Sequence, residues 1–143
     1  MRNMRILIDT NILLDYLLDR EPFAETARHI LALCETKKVH GCIAAHSVIN
    51  IFYILRGKFS VAQRKEVLYT LCKAMFVVDI ESSKIFAALE NQSFNDIEDY
   101  LQAKCAASYH ADYILSRNCK DFAGSTIPAI EPDEFLALFG QTD

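Results

Sequence analysis

Residues 4–19 read MRILIDTNILLDYLLD, and this stretch decides the fold. Its first part, Met4 with residues 6–8, is a nearly continuous apolar run, which is typical of a strand covered on both faces. Thr10 and Asn11 are residue types that favour helix starts, and residues 12–18 then carry isoleucine and leucine at helical spacing. Asp9 therefore stands where a strand turns into an amphipathic helix. In an open α/β sheet, ligands bind at such a junction.

The rest of the chain alternates strands and helices in the same way. Apolar and β-branched runs predict further strands at 39–45, 76–80, 111–115 and 127–130. Helical spacing predicts helices at 23–37, 46–55, 60–75, 82–90, 96–110 and 132–139. This alternation predicts an α/β fold with a parallel sheet of four to five strands. We expect one domain over residues 1–143.

Composition narrows the classes of protein that the chain can belong to. A net charge of −4 in 143 residues is modest, so a nucleic-acid partner must be held through a local basic patch or through metal ions. The five cysteines form no C-x-x-C pair and are typical of core residues in a reducing compartment. The four histidines lack zinc-type spacing. Asp9 and Asp15 interrupt the N-terminal apolar run, so we expect a cytoplasmic protein without membrane contact.

Several acidic residues are predicted to meet Asp9, because the carboxyl ends of parallel strands collect along one edge. Asp96 and Asp99 share one face at the start of the helix that leads into the fourth strand. The polar residues just after that strand are Ser116, Arg117, Asn118 and Asp121. Clustered carboxylates repel one another unless they bind hard cations such as Mg²⁺ or Mn²⁺. Each acid also has an ordinary alternative: a helix cap for Asp9, helix-dipole stabilisation for Asp96 and Asp99, and an Asx turn for Asp121.

Three segments together resemble the PIN domain, a small metal-dependent nuclease fold common among prokaryotic toxin-antitoxin ribonucleases. They are ILIDTN at 6–11, DIED at 96–99 and ADYILSRNCKDF at 111–122. The resemblance implies a three-layer α/β/α fold with a central parallel sheet. It also implies a Mg²⁺- or Mn²⁺-dependent endoribonuclease that leaves a 5′-phosphate and a 3′-hydroxyl.

The resemblance assigns roles to particular residues. Asp9, Asp99 and Asp121 match the catalytic and metal-binding acids, with Asp96 as a neighbouring metal ligand. The supporting residues are Thr10, Asn11, Asn50, Ser116 and Asn118. Ser116 stands where the family often has threonine, and Asn118 stands at a position that is aspartate or asparagine.

Asn50 is a departure from the family pattern, which has a glutamate on the helix after the second strand. An amide oxygen can ligate a metal or a bridging water, but it carries no charge and cannot act as a base. A subgroup resembles this chain in an R-x-P-F motif, here Arg20, Pro22 and Phe23, followed by N-I-x-Y at 50–53. The substitution is therefore expected to be typical of that subgroup.

Basic residues near the acids are candidates for RNA contacts, and the resemblance also implies protein partners. Arg117 and Lys120 are predicted to bind RNA phosphates, and Arg56 with Lys58 extends the groove, although each is also compatible with ordinary solvated surface. Family members often form homodimers, and an antitoxin peptide occupies the acidic cleft of the toxins. Two other functions are weighed against the ribonuclease: a PIN-like RNA-binding or scaffold protein with a degraded site, and a receiver domain. The chain lacks the paired N-terminal acids and the late strand-end lysine that are typical of receiver domains.

Overall fold

Strand β1 (Arg5–Ile8) is the central strand of the sheet in the computed structural model, which describes residues 3–141. It pairs in parallel with β2 (His40–Ala44) on one side and with β4 (Tyr113–Leu115) on the other. The strand β3 (Phe76–Val78) extends the sheet beyond β2, and β5 (Ala129–Ile130) extends it beyond β4. The predicted parallel sheet is confirmed, with five strands in the order β3-β2-β1-β4-β5.

The predicted helices are also confirmed, with small differences at their ends. They are α1 (Thr10–Leu17), α2 (Ala24–Glu35), α3 (Ala45–Ile54), α4 (Val61–Ala74), α5 (Ser82–Glu90), α6 (Ile97–Ser108) and α7 (Pro132–Gln141). Short 3₁₀ turns follow α3 at Leu55–Gly57 and follow β4 at Cys119–Phe122. None of the helices within residues 3–141 has the length and apolarity needed to cross a membrane.

Burial on both faces explains why β1 is apolar at successive positions. Ile6 and Ile8 pack against α1, α2, α3, α4 and α7, whereas Leu7 packs against α6 on the opposite face. All three side chains are completely buried, and each such burial contributes about 1.5–3 kcal/mol to stability. Helix α5 packs on α6 and completes that layer. The sheet therefore lies between two helical layers, as the α/β/α expectation states.

The strand order places a topological switch point beside β1. The chain runs from β1 to β2 and β3 on one side of the sheet, and then returns to β4 on the other side. Connections that diverge in this way leave a crevice at the carboxyl ends of the two neighbouring strands. At that end, the Asp9 backbone N–H donates to the Leu115 carbonyl at 3.0 Å. The residues that follow β1 and β4 are therefore held next to each other.

Candidate functional site

A cleft of about 400 Å³ opens at this switch point. Eleven residues line it: Asp9, Thr10, Asn11, Leu14, Asn50, Tyr53, Ile54, Glu98, Asp99, Asn118 and Asp121. They come from the start of α1, from α3, from the first turn of α6 and from the turn after β4. Four of them are carboxylates, and none of the described lining residues is lysine, arginine or histidine. We call this cavity the acidic cleft.

Asp9 is held in the cleft by side chains from two other elements. It occupies the N-cap position of α1, but its side chain makes no capping hydrogen bond. Its Oδ1 accepts a hydrogen bond from Gln102 Nε2 at 2.9 Å, and its Oδ2 accepts one from Ser116 Oγ at 2.8 Å. Burial raises the pKa of the Asp9 carboxyl, and these two hydrogen bonds oppose that rise. The helix-cap alternative therefore does not account for the side chain of Asp9.

Asp99 lies in the first turn of α6, close enough to other acids for their charges to raise its pKa. Partial burial raises its pKa most, and the charges of Asp96, Glu98, Asp121 and Asp9 raise it further, to about 7. A carboxyl with such a pKa is unfavourable in its charged form unless positive charge is supplied. The structure therefore brings Asp9, Asp99 and Asp121 to one cleft, where their charges interact.

Glu98 is a cleft residue that is not among the predicted site residues. Its Oε2 contacts His46 Nε2 at 2.6 Å, and its Oε1 accepts a hydrogen bond from Gln102 Nε2 at 3.3 Å. Gln102 is fully buried and thereby links Glu98 to Asp9. A sequence signal for both residues exists, because positions 98 and 102 are one helical turn apart and Glu98 directly precedes Asp99.

Ser116 and Thr10 tie the elements around the cleft together. Ser116 is completely buried, donates to Asp9, and accepts a hydrogen bond from the Asn118 backbone N–H at 2.9 Å. Thr10 Oγ1 donates to Ser47 Oγ at 2.8 Å and thus links α1 to α3. Ser47 is buried in the first turn of α3, whose N-cap residue is Ala44.

Three asparagines line the cleft, as expected for supporting residues. Asn11, Asn50 and Asn118 are all exposed, and their side-chain amides make no hydrogen bond within residues 3–141. Asn50 therefore stands in the cleft as a neutral group, among carboxylates that come from other elements.

Asp96 and Arg117 are not among the residues that line the cleft, and their predicted roles stay predictions. Asp96 is the N-cap of α6, and its Oδ1 accepts from the Glu98 backbone N–H at 2.7 Å, so the helix-start alternative accounts for it. Arg117 turns toward α1 and forms two hydrogen bonds with buried Asp15, at 2.9 and 3.0 Å. Its guanidinium also lies 3.8 Å from the centroid of the Phe23 ring. Because these contacts occupy the guanidinium, Arg117 does not reach the cleft.

The remaining basic residues are also outside the lining of the cleft. Lys120 is exposed on the turn after β4, next to Asp121. Arg56 Nη1 donates to the Tyr53 carbonyl at 2.9 Å, and Lys58 Nζ lies 5.6 Å from the centroid of the Phe59 ring. Lys120 and Arg56 are both exposed, and each adjoins a residue that lines the cleft, namely Asp121 and Tyr53.

The side-chain oxygens of the cleft are of the type that binds a hard divalent cation. The distances between them are less suitable. Carboxylate and amide oxygens are the ligands that Mg²⁺ and Mn²⁺ prefer. However, no group of three or more Asp, Glu, His or Cys side chains among residues 3–141 is gathered closely enough to hold an ion. Mg²⁺ usually keeps several waters and takes one or two protein carboxylates. The residues therefore fit a largely hydrated cation.

Comparison with solved structures shows the same fold in proteins of low sequence identity. A chain of a toxin-antitoxin complex from Klebsiella pneumoniae has a TM-score of 0.66 at 19% identity, covering 89% of this chain and 97% of that one. VapBC2 from Rickettsia felis, bound to a DNA fragment from its promoter, gives 0.65 at 15% identity, with coverages of 90% and 98%. FitAcB from Neisseria gonorrhoeae gives 0.64 at 15% identity, with coverages of 89% and 97%. These likenesses establish the fold.

Sequence comparison extends the result from fold to family. No protein of curated function matches the sequence. A family model described as the PIN domain matches residues 5–120, a range that runs from β1 into the turn after β4 and contains every residue lining the acidic cleft except Asp121. On that match, the chain belongs to the PIN domain family.

Proposed function

We propose that this protein is a Mg²⁺- or Mn²⁺-dependent endoribonuclease that acts in the cytoplasm as the toxin of a toxin-antitoxin pair. The observation that carries the proposal is the acidic cleft, in which Asp9, Glu98, Asp99 and Asp121 surround one cavity without a basic lining residue. Such a group of carboxylates is stable in its charged form when a cation compensates it. Membership of the PIN family supports nuclease chemistry at this cleft.

Among Asp9, Asp99 and Asp121, one or two carboxylates would ligate the cation directly, and the others would bind the waters that it keeps. The hydrogen bonds from Gln102 and Ser116 orient the Asp9 carboxylate before any ligand arrives. A bound Mg²⁺ or Mn²⁺ supplies a coordinated water of lowered pKa and neutralises charge on the phosphate. Asp99 favours such an ion because burial, and after it the negative charges of neighbouring acids, raise its pKa to about 7, and a cation would offset both effects.

Glu98 is proposed to supply the carboxylate that Asn50 lacks. Both residues line the same cavity, although one comes from α6 and the other from α3. The contact from His46 and the hydrogen bond from Gln102 hold the Glu98 side chain at the cleft. Asn50 then orients water or substrate through its amide, which has both donor and acceptor atoms.

The toxin role and the partners rest on relatives rather than on the cleft. The solved neighbour from Klebsiella pneumoniae is a toxin-antitoxin complex, which supports an antitoxin partner for this chain. We also propose a homodimer, because exposed apolar side chains such as Ile49 and Tyr69 on α3 and α4 offer surface for a second copy. Gel filtration tests this, since elution at the 16.2 kDa of one chain would exclude the dimer.

The central test compares RNA cleavage by the parent protein and by Asp9→Asn with Mg²⁺ or Mn²⁺. Asp79→Asn is a matched control, because Asp79 follows β3 as Asp9 follows β1 but is exposed and outside the cleft. We expect cleavage by the parent and by Asp79→Asn, and a loss of at least about a hundredfold in Asp9→Asn. Equal cleavage by all three proteins would remove the proposed site.

The neutral Asn50 keeps one alternative function open, a PIN-like RNA-binding or scaffold protein with weakened catalysis. Titration with Mn²⁺ separates the two functions. An acid cluster that binds the ion raises the melting temperature with increasing Mn²⁺, whereas a binding module without the metal site does not respond. RNA binding without a Mn²⁺ response would favour the alternative.

A further inference from the structure

We propose that Arg117 is a positioning residue for the acidic cleft and that it acts through its ion pair with Asp15. The pair fixes the turn after β4, and that turn holds the carboxylate of Asp9 through Ser116. The inference rests on the proposed nuclease function, because it concerns how a carboxylate is held ready for the cation. It also gives a role to the R-x-P-F motif at 20–23, whose residues do not line the cleft.

Two neighbouring residues of this turn bind two residues of the same helix. Ser116 Oγ donates to Asp9 Oδ2 at 2.8 Å, at the start of α1. Arg117 donates to Asp15 through Nε and Nη2, at 2.9 and 3.0 Å, farther along α1. Six positions along a helix span about 9 Å, so the two attachments are well separated. One hydrogen bond leaves a turn free to rotate about it, whereas two separated attachments fix its orientation.

The backbone of the turn places successive side chains on opposite sides. The Ser116 backbone N–H donates to the Ile130 carbonyl at 3.1 Å and so continues the ladder between β4 and β5. Along such an extended segment the side chains alternate, so Ser116 binds Asp9 while Arg117 turns the other way. Asn118 lines the cleft, and its backbone N–H donates to Ser116 Oγ at 2.9 Å. A shift of Arg117 is therefore passed to its neighbours on both sides.

The groups around the Arg117 guanidinium confine it to one place. The Asp15 side chain is 1% exposed, so its charge requires a compensating cation beside it. Phe23 covers the guanidinium, with its ring centroid at 3.8 Å. Arg20 lies 3.6 Å from Asp15, and its carbonyl accepts a hydrogen bond from the Phe23 backbone N–H at 3.0 Å. The first and last residues of the R-x-P-F motif thus complete the enclosure of the ion pair.

A positioning role and a purely structural role predict different results. In the structural role, Arg117 only compensates the buried charge of Asp15, and its loss lowers stability without changing the cleft of the molecules that are folded. In the positioning role, the folded molecules themselves bind the cation less well. Replacement of a residue that orients a metal ligand typically costs about 10- to 100-fold in metal affinity or activity. Measurements on folded protein therefore separate the two roles.

The test compares three variants with the parent at a temperature where circular dichroism shows all of them to be folded. Arg117→Ala removes the ion pair. Asp15→Leu combined with Arg117→Met replaces the pair by apolar side chains, a change that often preserves stability, and it keeps the test decisive if Arg117→Ala does not fold. Gly41→Ala is the matched control: its Cβ lies 2.7 Å from Cys34 Sγ, so it destabilises β2 at the end of the sheet away from the cleft.

Hydrogen exchange of the Asn118 amide reports the turn, whereas Mn²⁺ titration calorimetry and RNA cleavage report the site. We expect both Arg117 variants to lose exchange protection at Asn118, because its acceptor Ser116 is no longer held. They should bind Mn²⁺ about 10- to 100-fold less tightly, and their cleavage should fall by a similar factor in kcat with little change in KM. Gly41→Ala should match the parent in all of these measurements.

Parent-like Mn²⁺ affinity and cleavage in the Arg117 variants would overturn the inference, whatever the exchange at Asn118. An equal loss in Gly41→Ala would also overturn it, because general destabilisation would then be sufficient. A parent protein that neither binds Mn²⁺ nor cleaves RNA would refute the nuclease proposal. In that event, exchange at Asn118 still decides whether Arg117 positions the turn: lost protection supports it, and unchanged protection refutes it.

Discussion

Arg117→Ala is expected to destabilise the fold, although the sequence pattern predicts an RNA contact for this residue. The guanidinium makes two hydrogen bonds to Asp15, whose side chain is 1% exposed. Removing one partner of a buried ion pair costs about 3–5 kcal/mol, because the other charge is left uncompensated. Here Arg20 remains 3.6 Å from Asp15, and the Arg117 side chain is itself 27% exposed, so the loss is smaller. We expect about 2–3 kcal/mol, including the lost stacking on Phe23.

Urea and thermal denaturation followed by circular dichroism measure this loss. For a chain of this size, about 2–3 kcal/mol lowers the melting temperature by about 4–12 °C. Lys120→Ala is the matched control, because this exposed residue lies on the same turn, and its free energy of unfolding should stay within about 0.5 kcal/mol of the parent. The free energy of unfolding of Arg117→Lys should lie between those of Arg117→Ala and Lys120→Ala, because an ammonium keeps the charge but cannot form two parallel hydrogen bonds. Parent-like stability of Arg117→Ala, together with weakened RNA binding, would refute the reasoning.

Three further predictions concern the acids and the sheet. The pKa of Asp99 is about 7 in the folded protein and 3.8 in the unfolded chain, so the folded protein keeps this proton up to about pH 7. Metal-free stability should therefore fall as pH rises through that window, because the unfolded chain then binds fewer protons; thermal denaturation without Mn²⁺ checks this, and a flat profile would contradict it. Glu98→Gln removes one cleft charge, so Mn²⁺ should raise its melting temperature less than that of the parent, and an equal rise would exclude Glu98 from the cation site. Gly41→Ala places a Cβ 2.7 Å from Cys34 Sγ and 3.0 Å from Met75 Cε, which should cost about 1–3 kcal/mol in urea denaturation; if Cys34→Ala does not recover part of this loss, the contact is not its cause.

The order of strands and helices follows from the sequence because hydrophobic periodicity is local. The run at residues 6–8 is apolar at successive positions because both faces of β1 are covered, and that pattern is readable without coordinates. The site was partly predictable for a related reason. Asp9 and Asp121 follow strands, and Asp99 starts a helix that leads into one. Parallel topology carries all three to the same edge of the sheet.

Side-chain direction was not predictable, because it depends on contacts between residues remote in sequence. Arg117 is adjacent to a cleft-supporting residue, yet its partner Asp15 lies 102 positions earlier and draws it to the other side of the turn. Glu98 enters the cleft because of the way α6 packs, which also brings Gln102 to Asp9 across 93 residues. The sequence by itself determined the order of strands and helices and the presence of acids at strand ends, because both depend only on residues that are close together in the chain. Only the tertiary structure decided which neighbouring charges face the cleft and which support the fold, since burial and pairing energies arise when distant segments pack together.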